Sequence, residues 1–245
     1  MTMVFSLASA RLITMTVDSA ITNEFSDRTE YDTGRKAYPF NGIGCVTTWG
    51  ERSGNKVNEH LKSLDLDPSK HSIVDLVEFV RTYLFTEYLP HQHALGEVGY
   101  HIAGFDRNHR PRLYHVFWSF DRPRIPNQTQ PRYGTSDHCP ASEGQINFVF
   151  NGRNDLAGAV VNALNTDRLM NPQATKFKLE NPIDCVCFGD FVARFASEIT
   201  PQVGPDFFTY IIAPDNKITY VKNETYCPIE RALAQQKLAE AGFLF

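Results

Sequence analysis

No stretch of this chain approaches the ~20 consecutive apolar residues of a membrane-spanning helix. Its first residues, Met-Thr-Met-Val-Phe, carry no basic segment leading into an apolar core, so they do not read as a secretory signal. No membrane contact is expected, and the cytoplasm is the expected compartment. Positive charge is not in surplus either: 24 Lys and Arg stand against 28 Asp and Glu, a formal charge of −4. That balance lacks the basic footprint of a nucleic-acid partner. Cysteine is scarce and odd in number, with five residues at 45, 139, 185, 187 and 227 in no regular framework, so reduced thiols are expected rather than disulfides. Cys185-Val-Cys187 is one residue too tight for the usual C-x-x-C metal knuckle, and its apolar helical setting reads as packing. A Gly-x-Ser-x-Gly elbow is missing, and so is any phosphate- or dinucleotide-binding glycine motif. There is no internal repeat, low-complexity tract or composition break. The 245 residues, 42% hydrophobic and 21% charged, fit one globular domain over 1–245.

What is present is strand and helix patterning in a definite order. Residues 2–8 and 11–17 alternate with period two across Ser9-Ala10, a hairpin. Residues 19–34 are polar and turn-rich and read as a loop. Residues 36–49 give a second strand pair around Asn41-Gly42, a strong hairpin signal. Helices are predicted over 53–64 and 72–89; in the second, Ser72 and Asp75 have capping-box spacing, and Ile73, Leu76, Val77, Val80 and Leu84 form an apolar stripe. Strands follow at 95–105 and 112–120, then a Pro-rich loop over 121–145, a strand at 146–151 and a helix from 154 to 164. A helix opening with Pro182 carries Ile183, Cys187, Phe191, Phe195 and Ile199 at steps of four. A hairpin across Pro214-Asp215-Asn216 and a helix from 228 to 241, stopped by Gly242, close the chain. Strands before and after paired helices predict an α+β fold, two antiparallel sheets covered by helices on both sides.

Histidine supplies the rival signal. His91, His93, His101, His109 and His115 fall within 25 residues, and His138 adjoins Cys139. Alternation would place His91 and His93 on one face if that segment were extended, yet it follows Pro90 and has few carboxylates nearby; solvated loop histidines are the expected reading, with no metal and no cofactor.

The most chemical part of the chain is its first fifty residues. Thr2 follows Met1 directly, so removal of Met1 leaves a threonine with a free α-amine. Such a residue carries its own base, because the amine can accept the hydroxyl proton as the oxygen attacks a carbonyl. Asp18 ends the second predicted strand in an Asp18-Ser19 step, Lys36 opens the third, and Gly50 follows the next. In order and strand context these residues resemble the proteasome β-subunit family of N-terminal-nucleophile (Ntn) hydrolases. The stretches Gly99-Tyr100 to Asp106 and Val203-Gly204-Pro205-Asp206 resemble that family's central hairpin and late strand, although the motif in the first fifty residues is the specific part.

The resemblance implies a four-layer αββα sandwich. It implies a threonine peptidase or amidohydrolase in which Thr2 is the nucleophile, Lys36 tunes its amine, Asp18 holds Lys36, and Gly50 donates its N–H to the oxyanion. Ala20 and Thr22 would flank the cleft on one side and Thr48 on the other, binding a peptide or protein substrate in extended form, with Cys45 shaping a roomy, non-basic first pocket. Homo-oligomeric rings are implied, with an ATPase partner that nothing in the sequence identifies. The surplus aromatics Phe79, Tyr83, Phe85 and Tyr88 on the helix after Ser72 are the expected ring contact. Three positions depart from the match: the family's supporting Ser, Asp and Ser align with Gly152, Thr200 and Val203.

Overall fold

The fold is seen in a computed structural model that describes residues 3–19, 21–23, 28–30, 36–50, 56–88, 97–120, 131–140, 142, 145–152, 154–171, 177–179, 181–200, 203–204, 206–223 and 231–243. Two five-stranded antiparallel sheets form its centre. The first contains β1 (Val4–Ala8), β2 (Ile13–Asp18), β10 (Asn147–Asn151), β11 (Phe207–Ile212) and β12 (Ile218–Asn223), in the order β10-β1-β2-β11-β12. The second runs β5 (Ala37–Phe40), β6 (Gly44–Gly50), β7 (Val98–Phe105), β8 (Pro111–Phe120), β9 (Pro131–Asp137) in chain order. A small pair, β3 (Ile21–Asn23) and β4 (Arg28–Glu30), stands apart. The helices are α1 (Lys56–Ser63), α2 (Ile73–Thr82), α3 (Asn154–Met170), α4 (Pro182–Ile199) and α5 (Arg231–Glu240).

The period-two pattern of β1 sorts its side chains into two apolar layers. Met3, Phe5 and Leu7 face the layer built with Val186, Phe188 and Val192 of α4 and Leu238 of α5. Val4 and Ala8 face the other way, joining Ile13, Met15 and Val17 of β2 and Cys45, Ala103 and Leu113 of the second sheet. A third layer packs Val46, Tyr100, Ile102 and Val116 under Ile73, Leu76 and Val80 of α2. Helix, sheet, sheet, helix: the four-layer αββα sandwich is the observed architecture. Ser72 caps α2 as its spacing predicts, with its N–H on Asp75 Oδ2 at 2.7 Å and its Oγ accepting from Asp75 N at 3.5 Å. Pro182 opens α4, with the Asn181 side chain accepting from Ile183 N.

The two ends of the sandwich are held differently. At one end the β11–β12 turn reaches into the second sheet. Asn216, in the left-handed region at φ 59°, accepts the Phe105 N–H at 2.7 Å and donates to Phe105 O at 2.8 Å, while its own carbonyl accepts from Gly42 N at 3.0 Å. Gly104 makes this seat possible, since a Cβ there would stand 2.5 Å from Ile43 O. The opposite end is where β2 finishes at Asp18 and β6 at Gly50.

Several elements depart from the sequence reading. The polar stretch 19–34, expected as a loop, contains β3 and β4, and the Pro-rich 121–145 contains β9, an edge strand whose Pro131 sits at its first position, where a missing N–H costs no ladder bond. Helix α2 continues as a π-helical segment over Tyr83–Tyr88, and α3 runs on to Met170. Of the surplus aromatics after Ser72, Phe79 is exposed while Tyr83 and Phe85 are half-buried within the chain. Tyr83 stacks on His60 of α1 at 4.1 Å between ring centroids, and Phe85 packs against the α2 layer; the side chain of Tyr88 lies outside the described residues. On α4, Cys185 is buried and Cys187 half-buried against the core, while Phe191, Phe195 and Ile199 are exposed.

A polar cluster interrupts the layer between the sheets. Ser6 Oγ lies 2.9 Å from His101 Nδ1, and His101 Nε2 lies 2.6 Å from Asn151 Oδ1. A neutral ring satisfies both, accepting from Ser6 and donating to Asn151. Beside it, Trp49 Nε1 donates to His115 Nε2 at 3.0 Å. Burial holds both imidazoles neutral, His101 down to about 4 and His115 to about 2. Among the described residues no group of three His, Cys, Asp or Glu side chains is arranged to hold a metal. His109 Nδ1 meets Pro214 O at 2.9 Å, and His91 and His93 lie outside the described residues. Because the folded pKa lies below the unfolded value near 6.5, the unfolded chain takes up a proton the folded chain refuses. Stability is therefore untouched by His101 above pH 6.5 and falls from there down to about pH 4, by up to ~1.4 kcal/mol per pH unit. Urea midpoints measured between pH 7 and 5 are expected to fall steeply for the native sequence and less steeply for His101→Gln; equal slopes would refute this account.

Candidate active site

Asp18 is the last residue of β2, 1% exposed, and its carboxylate gathers groups from three other parts of the chain. Oδ1 accepts the Lys36 ammonium at 2.6 Å and the Met3 N–H at 2.8 Å; Oδ2 accepts the Gly204 N–H at 3.1 Å. In return Asp18 N donates to Met3 O at 3.2 Å. Met3 leads into β1, Lys36 precedes β5 in the other sheet, and Gly204 lies on the approach to β11. Both ionic side chains are sealed from water, at 1% exposure for Lys36 and 0% for Asp18. Such a pair offsets its desolvation only when further hydrogen bonds occupy the remaining lone pairs, and the two backbone donors do that here.

The Lys36 carbonyl accepts the Thr48 N–H at 2.9 Å, which ties the ion pair to β6 two residues before its end. There Gly50 is exposed, pairs with Val98 of β7, and adopts φ 88°. A Cβ at this position would stand 2.0 Å from Glu97 O, so only glycine fits. Asp18, Lys36, Thr48 and Gly50 are thus brought to one end of the sandwich. Cys45 is not: it sits at the other end of β6, five positions from Gly50 or about 17 Å along the strand. It is fully buried between the sheets, in register with Ala103, and shapes core rather than pocket. Parity explains this, because odd positions of β6 face the other sheet. Thr2 and Ala20 lie outside the described residues; Thr22 pairs with Thr29 in the β3–β4 ladder, and its side chain lies outside them too.

Sequence reasoning missed the backbone donors. The N–H groups of Met3 and Gly204 carry no residue-type signature, so nothing in a one-letter string could flag them. The segment aligned with the family's supporting side chains does reach this end, but through its main chain: Thr200 is buried at the C-terminus of α4, Val203 N donates to Thr200 O at 3.3 Å, Val203 packs in the apolar core, and the next amide binds Asp18. Gly152 follows β10 with φ 99°. Ser19, 2% exposed, donates its N–H to Asp206 O at 3.0 Å, and its hydroxyl has no hydrogen-bond partner among the described residues.

Read from sequence, Lys36→Ala is a change to the chemistry that leaves the fold mostly intact. Its burial makes it a structural change as well, since it strands a carboxylate in the interior. Lys36→Ala is expected to cost about 3–5 kcal/mol in urea unfolding, and the Asp18→Asn, Lys36→Met double substitution clearly less than the sum of its singles. Additive costs would mean that the two charges do not depend on one another.

No protein-family model matches the chain, and no curated protein matches it in sequence. The fold is shared with solved structures of Anbu, a bacterial protein of proteasome-like, Ntn type. Against the Gly-1 mutant of Anbu from Hyphomicrobium sp. strain MC1 the TM-score is 0.60 at 11% identity, over 98% of this chain and 94% of that one. Anbu from the same strain in another crystal form gives 0.60 at 10%, with the same coverage. Anbu from Pseudomonas aeruginosa, solved as a helical assembly, gives 0.58 at 14%, again over 98% and 94%. At these identities the likeness is one of fold.

Proposed function

We propose that this chain is a threonine-type Ntn hydrolase that cleaves peptide or amide bonds. The observation that carries the proposal is the buried Asp18–Lys36 pair with the Met3 N–H on the same carboxylate oxygen, because it holds a cation beside the strand that Thr2 would open. With Met1 removed in the cytoplasm, Thr2 Oγ attacks the carbonyl carbon while its α-amine accepts the hydroxyl proton. The nearby Lys36 cation lowers the pKa of that amine, and Asp18 fixes Lys36. Gly50 N–H receives the oxyanion, a role whose loss typically costs about 3–4 kcal/mol. The protonated amine then passes its proton to the leaving amine, and water activated by the same amine hydrolyses the acyl-Thr2 ester. Ala20, Thr22 and Thr48 would line the extended substrate. The shared fold with Anbu supports the reading at the level of architecture.

One observation favours a second reading, a catalytically silent assembly protein. The positions where the resembled family carries supporting Ser, Asp and Ser hold Gly152, Thr200 and Val203, and Val203 is buried among apolar side chains. The two readings part on chemistry. Intact mass of the purified protein is expected to lack Met1, and a threonine-directed electrophile is expected to add to Thr2. Thr2→Ala is expected to abolish both labelling and hydrolysis. Uniform retention of Met1, or hydrolysis unchanged in Thr2→Ala, would remove the mechanism.

Under either reading the chain works as a homo-oligomer. Phe191, Phe195 and Ile199, 41%, 37% and 50% exposed at four-residue steps on α4, form an apolar line that water would not favour. The helical assembly of Pseudomonas aeruginosa Anbu gives a precedent on this fold. Light scattering at micromolar concentration is expected to return a mass well above that of a dimer of the 27.8 kDa chain; a stable monomer would refute assembly.

A further inference from the structure

Gly50, the proposed oxyanion donor, has no side chain with which to hold its own peptide in place. The residue before it does. Trp49 points between the sheets, 8% exposed, and its indole lies flat over Gly99, its register partner on β7; a Cβ at 99 would stand 2.5 Å from the ring. Crossing that glycine, the indole N–H reaches β8 and donates to His115 Nε2 at 3.0 Å. The His115 ring is itself stacked on Phe117 at 4.7 Å and set edge-on to His101 at 5.2 Å. His101 binds Ser6 of β1 and Asn151 of β10, both in the other sheet. A continuous series of contacts therefore runs from the residue beside Gly50 to the strand that Thr2 would open.

We propose that Trp49 is a positioning residue of the candidate site: seated on Gly99 and tied to His115, it fixes the end of β6 from which Gly50 presents its N–H. The proposal rests on the hydrolase reading above. A tryptophan buried only for its apolar surface could tilt to suit its neighbours. This one has its plane set by the glycine beneath it and its rotation set by the acceptor at its nitrogen, so the backbone that carries it is set as well. Loss of the hydrogen bond would leave His115 Nε2 buried and unpaired and let the strand end shift, which affects an oxyanion donor far more than it affects substrate affinity, because the donor is needed at one place only.

Two variants test this with Met1-free protein. Trp49→Phe keeps a ring on Gly99 and loses the donor; His115→Phe spares the indole and loses the acceptor. Each is expected to lower kcat on a fluorogenic peptide amide about tenfold or more with KM within about twofold. Each is also expected to speed amide hydrogen exchange at Thr48, which lies two residues before Gly50 and donates its N–H to Lys36 O, about tenfold while leaving Val46, in the middle of β6, unchanged. His115→Gln, whose side-chain oxygen can accept from the indole, is expected to restore both. Unchanged kcat and unchanged Thr48 exchange in Trp49→Phe would overturn the proposal, and so would faster exchange spread evenly along β6, which marks general loosening. Should Trp49→Phe not fold, His115→Phe and its rescue by His115→Gln decide the question. If the native sequence neither hydrolyses amides nor takes up the electrophile, the hydrolase reading falls by itself, and the exchange at Thr48 still decides whether Trp49 holds the strand end.

Discussion

The carboxylate of Asp18 is the constraint on which one end of this molecule depends. A charge buried to 1% exposure is tolerated only with its counter-charge and hydrogen-bond donors in place, so Lys36, the Met3 amide and the Gly204 amide must all arrive for any of them to be stable there. These groups come from β1, from the start of β5 and from the approach to β11. The same pair therefore closes the interface between the sheets and concentrates charge where the proposed chemistry would occur. Structure and function draw on one interaction, which is why substitutions at 18 or 36 cannot be read as purely catalytic.

The other end is closed without charge. Asn216 imitates a strand edge, offering Phe105 both a donor and an acceptor, and glycine at 104 lets the backbones approach. Between the two ends the described residues of the sheets meet mainly through apolar side chains, interrupted by polar contacts such as the Ser6–His101–Asn151 and Trp49–His115 bonds. On the helix side, Gly189 lets α4 settle against Thr16 of β2, and Asp184, which accepts the Lys178 N–H at 2.7 Å and pairs with Arg231, ties α4 to α5. Sheet spacing is thus set at both ends and in the middle by different chemistry.

Much of this was legible in the sequence because the signals are local. Alternation gave β1 and β2, Asn41-Gly42 gave the β5–β6 turn, Ser72 with Asp75 gave the start of α2, and Pro182 the start of α4. The order Asp18, Lys36, Gly50 could be read because each lies at a strand boundary. What could not be read depends on tertiary placement or on the main chain. Strand β9 hides in a Pro-rich stretch because its pairing with β8, not its own propensity, makes it a strand. Cys45 was misplaced because a one-dimensional offset ignores which face of β6 an odd residue takes. His101 and His115 fall in predicted strands, but only the β7–β8 register, which no alternation pattern shows, sets them side by side in the interior. The apolar step-of-four line on α4 was the converse case, since Phe191, Phe195 and Ile199 face outward while Val192, Ala193 and Ala196 face the core.

Gly99 shows how far such register effects reach. It lies in a regular strand, not in a turn, and its backbone does not take a left-handed conformation. The indole of Trp49 occupies the space its side chain would fill. Positions 49 and 99 are therefore one steric unit shared between two strands, and they cannot vary independently. In divergent chains of this fold, a side chain at the second position should be accompanied by a smaller residue at the first, a covariation that backbone geometry alone would not produce.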